Sequence, residues 1–256
     1  MTLRHLLTTG TINVAIKDGV ILGFAGAVRR GHTAYLTDLF VRPEAQSSGL
    51  GTALLREVLP LAREGEPRFT VSSTNPRALA LYVRLGMRPH WPNLLLRSLP
   101  PAPDRLPPAD VDAVEGRPDD PNLIQWDGEL SGRFRAVDHS YWVREEGAIP
   151  LWFHRQETVI GYGYARTRSP EFWYPEHIRL GPIGARTPED ARSCVLAAVH
   201  WSRSRTEVLR IDVPGPHPAL SLLLEAHFQI VYVETFLADA PLFDPRLYVG
   251  SGDALL

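Results

Sequence analysis

The sequence predicts an α+β fold with a mixed sheet, present twice in tandem. Three observations lead there: strand-like and helix-like segments recur in one order in both halves, short stretches echo one another at a near-constant offset, and a proline-dense segment divides the halves. The 256 residues exceed what one domain of ~100–150 residues needs. A hydrophobic content of 44% is enough for two cores.

In the first half, residues 12–16 alternate apolar and polar positions, Asp18-Gly19 supplies a hairpin turn, and residues 20–28 form the return strand. Residues 35–41 read as another strand, stopped by Arg42-Pro43. Residues 52–63 place Leu54, Leu55, Val58, Leu59 and Ala62 on one stripe, the period of a helix. After a short strand at 69–73, Asn75 and Pro76 occupy the N-cap and first position of a helix that Gly86 ends. A strand at 94–99 closes the unit. Only about eleven residues precede its first hairpin.

The second half repeats this order: a hairpin at 151–154 and 158–166, a strand at 178–180, a helix at 189–202, a strand at 208–213, a helix at 217–226 and a strand at 230–237. Two helical segments, 123–130 and 135–144, come first. Ile21-Leu22-Gly23-Phe24-Ala25 echoes Val159-Ile160-Gly161-Tyr162-Gly163, and Val41-Arg42-Pro43 echoes Leu180-Gly181-Pro182. The expected organisation is a first domain over 1–99, a Pro-rich linker over 100–110 and a second domain over 111–256. Such proline density excludes helix and central strand from the linker.

Composition narrows the function. A formal charge of −2 and a pI of about 6.5 give no electrostatic reason to expect nucleic acid or an anionic membrane as partner. No apolar run approaches the ~20 residues of a spanning helix, and the N-terminus lacks the pattern of a signal peptide, so a cytoplasmic protein is expected. Cys194 is the single cysteine, which excludes an intrachain disulfide and a thiolate metal cluster. It reads as a small buried hydrophobe, and no metal is expected.

The chemistry concentrates between the strand at 35–41 and the helix after it. A loop of small residues at a helix N-terminus turns unpaired N–H groups and the positive end of the helix dipole outward, which suits an anion. Gly49 and Gly51 let backbone approach a phosphate without an intervening Cβ. The series Val41-x-Pro43-x-x-Gln46-x-x-Gly49-x-Gly51 resembles the pyrophosphate-binding signature of the GCN5-related N-acetyltransferases (GNAT). Asn75-x-x-Ala78-x-x-x-Tyr82-x-x-x-Gly86-Met87 resembles that family's second element.

The resemblance implies acetyl-CoA as co-substrate, held by Gln46, Ser47, Ser48, Gly49, Leu50, Gly51 and Thr52. It also implies that Phe40 and Val41 hold the pantetheine arm through backbone groups, in a sheet splayed at its middle. Asn75 is an N-cap that the family also uses toward the cofactor. Tyr82 stands where the family places a general acid for the departing thiolate. An alkyl ammonium, with a pKa near ~10, must lose a proton before attack, and Asp38 is the candidate base.

The second half carries Gly184-Ala185-Arg186-Thr187-Pro188-Glu189-Asp190 in place of the loop, and Leu223 or Leu224 in place of Tyr82. Proline and acidic residues suit phosphate poorly, so this repeat is expected to be degenerate. Relative to the family, the first domain is expected to lack its opening strand and two helices. The C-terminal domain or a second chain, as in a homodimer, would then supply that wall. The expected function is direct acetyl transfer to the primary amine of a small molecule or peptide. The alternative is a non-catalytic acyl-CoA-binding or ligand-sensing module.

Overall fold

A computed structural model describes residues 2–59, 63–98, 106–168, 177–252 and 255. The chain divides into two compact units, one of Met1–His90 with Thr235–Leu242, the other of Trp91–Glu234 with Phe243–Leu256.

In the first unit, α1 (Thr2–Thr9) leads into β1 (Gly10–Lys17), β2 (Val20–Arg30) and β3 (Thr33–Val41), an antiparallel meander. The helix α2 (Leu50–Val58) carries the chain to β4 (Arg68–Ser73), which runs parallel to β3, and α3 (Pro76–Arg84) follows. Helix α1 corrects the expectation of a first domain with no helix before its hairpin: Leu3, Leu6 and Leu7 lie at helical spacing, and Leu6 is buried. Helix α2 begins at Leu50, two residues earlier than expected, because Gly49 caps it. Residues 60–62 of the predicted helix lie outside the described residues.

The second unit begins with β6 (Asp112–Glu115), after β5 (Arg88–Arg97) has entered it. Next come α4 (Pro121–Ser131), α5 (Ala136–Glu145), and the antiparallel strands β7 (Ala148–Arg155), β8 (Thr158–Arg166) and β9 (Ile178–Ala185). Helix α6 (Pro188–Arg203), strand β10 (Leu209–Pro214) parallel to β9, and helix α7 (Leu220–Glu225) follow. The chain ends with β11 (Gln229–Ala238) and the two-residue β12 (Tyr248–Val249).

The units do not follow the expected boundaries of 1–99 and 111–256. From Trp91 onward β5 belongs to the second unit, where Asn93–Arg97 pairs antiparallel with β10. In return Thr235–Leu242 completes the first. There Leu237, with no exposed surface, packs with Leu36, Leu54, Leu55 and Tyr82, and Asp239 accepts hydrogen bonds from Arg68 N (2.7 Å) and Nε (2.6 Å). Much of the expected linker, residues 100–105, lies outside the described residues, while Leu106 is buried in the second core. Cys194 lies in that core, as its apolar helix predicts.

Sheet register makes the duplication concrete and corrects one echo. Gly23 pairs with Val41, and its counterpart Gly161 pairs with Ala185, so Val41 corresponds to Ala185 and not to Leu180. The longer chain between β8 and β9 shifts the offset. Both hairpins carry one extra residue on the later strand at the same place: β3 skips Thr37, and in β9 Gly181 and Pro182 lie across from Tyr164 alone. Asp38 therefore corresponds to Pro182. The helix ends also match: Met87 N bonds Tyr82 O at 3.2 Å, and Phe228 N bonds Leu223 O at 3.0 Å. This settles Leu223 as the counterpart of Tyr82.

Leu237→Ala is expected to destabilise the first unit by about 2–5 kcal/mol, the cost of truncating a fully buried leucine. Urea unfolding followed by a first-unit probe measures it. A fragment of residues 1–99 should show no cooperative transition.

Candidate active site

Strands β3 and β4 pair only from Ala34↔Arg68 to Leu36↔Thr70. Beyond that point each continues as a strand, to Val41 and Ser73, without pairing with the other. The Thr70 hydroxyl donates to Leu36 O at 2.9 Å and so marks the fork. The sheet opens there into a wedge whose β3 side presents the backbone of residues 37–41, as the expected splay requires.

The loop after β3 forms the end of the wedge. A single turn at Pro43–Ala45 is followed by Gln46, whose Nε2 folds back to donate to Val41 O at 3.1 Å. The Ser48 hydroxyl donates to Ala45 O at 2.7 Å. Ser47 and Gly49 both adopt left-handed backbone, with φ of 62° and 88°. At Gly49, which caps α2 without a side-chain hydrogen bond, this conformation favours glycine. The first intrahelical bond runs from Ala53 N to Gly49 O (3.0 Å). The amides of Leu50, Gly51 and Thr52 therefore have no helical carbonyl to meet, and they gather at the positive end of the helix. Gly51 needs no special φ. A Cβ on it would lie 3.4 Å from the Leu81 side chain, so glycine there widens the approach to the loop.

Beside this loop lies a cleft of about 840 Å³. Phe40, Val41, Gln46, Ser47, Gly49, Gly51, Thr52 and Asn75 all line it, eight of the twelve residues singled out from the sequence. Ser48 and Leu50 are not among its lining residues. Asn75 caps α3 by accepting from Arg77 N at 2.9 Å. Phe40 stacks on Phe24 with centroids 5.2 Å apart and is more than half exposed.

Tyr82 and Asp38 do not line the cleft surface. Tyr82 is buried in the first core among Leu54, Leu55 and Met87. Burial first, and then the charge of Asp38, push its phenol up to about 12. Asp38 is paired with Gly26 across the β2–β3 bulge, and its Oδ2 is buried with no hydrogen-bond partner among the described residues. Burial pushes this carboxyl above its ordinary value. The charge of Asp38 thus adds to the cost of ionising Tyr82.

Arg77 and Arg84 were missed in the sequence. Both are exposed, both line the cleft, and neither is paired with a carboxylate among the described residues. Their spacing of seven on α3 puts them on one face, a signal that periodicity offers but that the glycine motif overshadows. With the free amides of α2 they make the cleft attractive to anions. Among the described residues no group of three His, Cys, Asp or Glu side chains converges to hold a metal.

Comparison with known proteins agrees with this architecture. The acetyltransferase (GNAT) family profile matches residues 3–87, and an acetyltransferase (GNAT) domain profile matches residues 123–235. The chain belongs to the GNAT family of acetyltransferases, with two of its domains in tandem. A putative acetyltransferase from Pyrococcus horikoshii has a similar structure, with a TM-score of 0.74 at 17% identity, covering 99% of this chain and 84% of that one. A tandem GNAT protein from the clavulanic acid biosynthesis pathway gives 0.59 at 17% identity, covering 93% and 87%. These likenesses are of fold.

In sequence, the chain is 38% identical over 78 residues to the N-alpha-acetyltransferase RimI of Mycobacterium tuberculosis, 29% of this chain and 49% of that protein. It is 32% identical over 66 residues to a thialysine N-epsilon-acetyltransferase of Bos taurus, 25% of this chain and 39% of that protein. The chain spans at most about half the length of the curated relatives it matches.

The raised pKa of Asp38 predicts the sign of a stability effect. The neutral carboxyl is the better tolerated form, so its contribution is fully present below the unfolded value near ~3.9 and lost as pH rises through the higher folded value. Asp38→Asn should therefore raise the melting temperature at pH 8, and the gain should shrink toward pH 4.

Proposed function

We propose that the chain transfers the acetyl group of acetyl-CoA to a primary amine, on a peptide or a small molecule. The observation that carries this reading is the β3–β4 wedge opening beside the N-terminus of α2, where no side chain caps the first amides. An extended arm bearing amides fits the open β3 edge, and a pyrophosphate fits the three free amides at its end. Arg77 and Arg84 supply the remaining positive charge. The donor brings an activated thioester; binding, orientation and proton movement fall to the protein.

The amine nitrogen forms its bond to the acetyl carbon, the C–S bond breaks, and the electron pair leaves on sulfur. Asp38 receives the proton the amine gives up, directly or through water. Its raised pKa makes it a better base than an ordinary aspartate. Tyr82, at about 12, keeps its proton at any physiological pH and serves as the hydrogen-bond donor to the departing sulfur. A phenol at that value is a weaker acid than a thiol near ~8.5, so full transfer to sulfur is uphill while Asp38 is charged. Proton uptake by Asp38 removes the smaller of the two causes that raise the Tyr82 pKa, burial being the larger. The phenol thus becomes more acidic as the sulfur leaves.

Tyr82→Phe should lower kcat by roughly 10²–10⁴-fold while leaving acetyl-CoA affinity nearly unchanged. Steady-state assays over a panel of peptide α-amines and small amines, with calorimetry for binding, test this. Acetyl-CoA binding with no turnover in either form would replace the enzyme reading with a non-catalytic acyl-CoA-binding module.

Replacing Arg77 and Arg84 together by alanine should raise KM for acetyl-CoA by roughly 10–100-fold, as expected for the loss of charge-assisted hydrogen bonds. The effect on kcat should be smaller, and added salt should narrow the difference from wild type.

A further inference from the structure

The second unit contains the same wedge. Strands β9 and β10 pair from Ile178↔Leu209 to Leu180↔Ile211 and then part. By register, Ile183 and Gly184 of β9 correspond to Leu39 and Phe40 of β3. In the first unit this edge faces the cleft; in the second it is covered by the chain's own C-terminal segment. Tyr248 pairs with Gly184 and Val249 with Ile183, antiparallel, and Ala185 N donates to Leu247 O at 3.1 Å.

Past β12 the segment runs toward the fork. Gly250 lies so close to Gly181 that a Cβ on Gly181 would overlap the Gly250 carbonyl. Buried arginines receive the segment's carbonyls. Arg166, held by Glu146 at 2.7 Å, donates to Ser251 O, and Arg135, held by Asp127, donates to Leu255 O at 2.7 Å. The Tyr248 hydroxyl lies among Arg133, Arg135 and Asp127. Tyr248, Val249 and Ser251 have no exposed surface.

The rest of the second unit agrees. Thr187 caps α6 by accepting from Asp190 N at 3.1 Å, so that helix start is satisfied internally where α2 is open. Pro182 replaces the candidate base and Leu223 the candidate acid.

We propose that residues 247–252 are a built-in peptide ligand of the second unit, an extended strand filling the wedge that in the first unit is open to an acyl-CoA arm. The second wedge then takes peptide backbone and no acyl-CoA, so the chain binds at most one. This goes beyond the acetyltransferase reading and does not require it.

Hydrogen exchange by mass spectrometry on the full chain, with and without saturating acetyl-CoA, tests the proposal beside calorimetric stoichiometry. Peptides covering 247–252 should exchange on the order of 10³-fold slower than free chain. Acetyl-CoA should leave that protection unchanged and bind once per chain. Val249→Pro removes a ladder N–H and should speed exchange in 247–252 and 183–185, with the acetyl-CoA stoichiometry retained.

Free-chain exchange in the wild-type tail, or a second bound acetyl-CoA, would overturn the proposal. The wild-type measurement decides alone if the proline variant does not fold. A protected tail with no acetyl-CoA bound sinks the acetyltransferase reading and leaves this one standing. An unprotected tail with one acetyl-CoA bound does the reverse.

Discussion

Two parallel strands that stay hydrogen-bonded for only three residues and then part create the constraint on which both units depend. A strand edge carries alternating N–H and C=O groups, and leaving them buried without partners costs free energy comparable to lost hydrogen bonds. The gap must therefore open to solvent, take a ligand or be filled by protein. The first unit keeps it open beside a helix start with unpaired amides. The second fills it with β12 and satisfies its helix start with Thr187. One architecture thus yields an open cleft in one copy and a wedge closed by the chain's own C-terminal segment in the other.

Closing the second wedge changes the character of its interior. Asp127 is held well below the usual carboxylate range: burial alone would raise it, but the Arg135 charge and hydrogen bonds from Arg135 and His139 outweigh that. Tyr162 donates to the same carboxylate at 2.6 Å. A buried network of this kind is satisfied only when every member is present. The C-terminal segment supplies Tyr248 and the carbonyls of Ser251 and Leu255. In the first unit the opposite holds. Asp38 keeps a buried oxygen without a hydrogen-bond partner among the described residues. Such a poorly satisfied group lowers stability, and burial raises its pKa.

The cradle was legible because it is local. Residues 46–51 follow one another along a strand–loop–helix, and Asn75 caps the helix that follows β4, so local spacing brings most of them to the cleft, whereas Tyr82 on the same helix turns into the core. Arg77 and Arg84 share that helix and were readable by period. Asp38 was placed correctly on β3, but its unsatisfied oxygen depends on the bulge at Thr37 and on Gly26 across the hairpin. Helix α1 escaped notice because eight residues with three leucines give too weak a periodic signal. The second echo misled because proline recurs near strand ends, whereas true register is set by hydrogen bonding between strands.

The sequence by itself determined the duplication, the order of most elements, the glycine loop and the family, since each rests on residues close together in the chain. Only the tertiary structure decided which segments complete which unit: Trp91–Arg97 pairs in the second and Thr235–Leu242 packs in the first. It alone showed that residues 247–252 occupy the second wedge. These are pairings across roughly sixty to two hundred residues of chain. They are specified by which backbone edges and apolar faces remain uncovered once the local elements have formed, and a linear pattern carries no record of that.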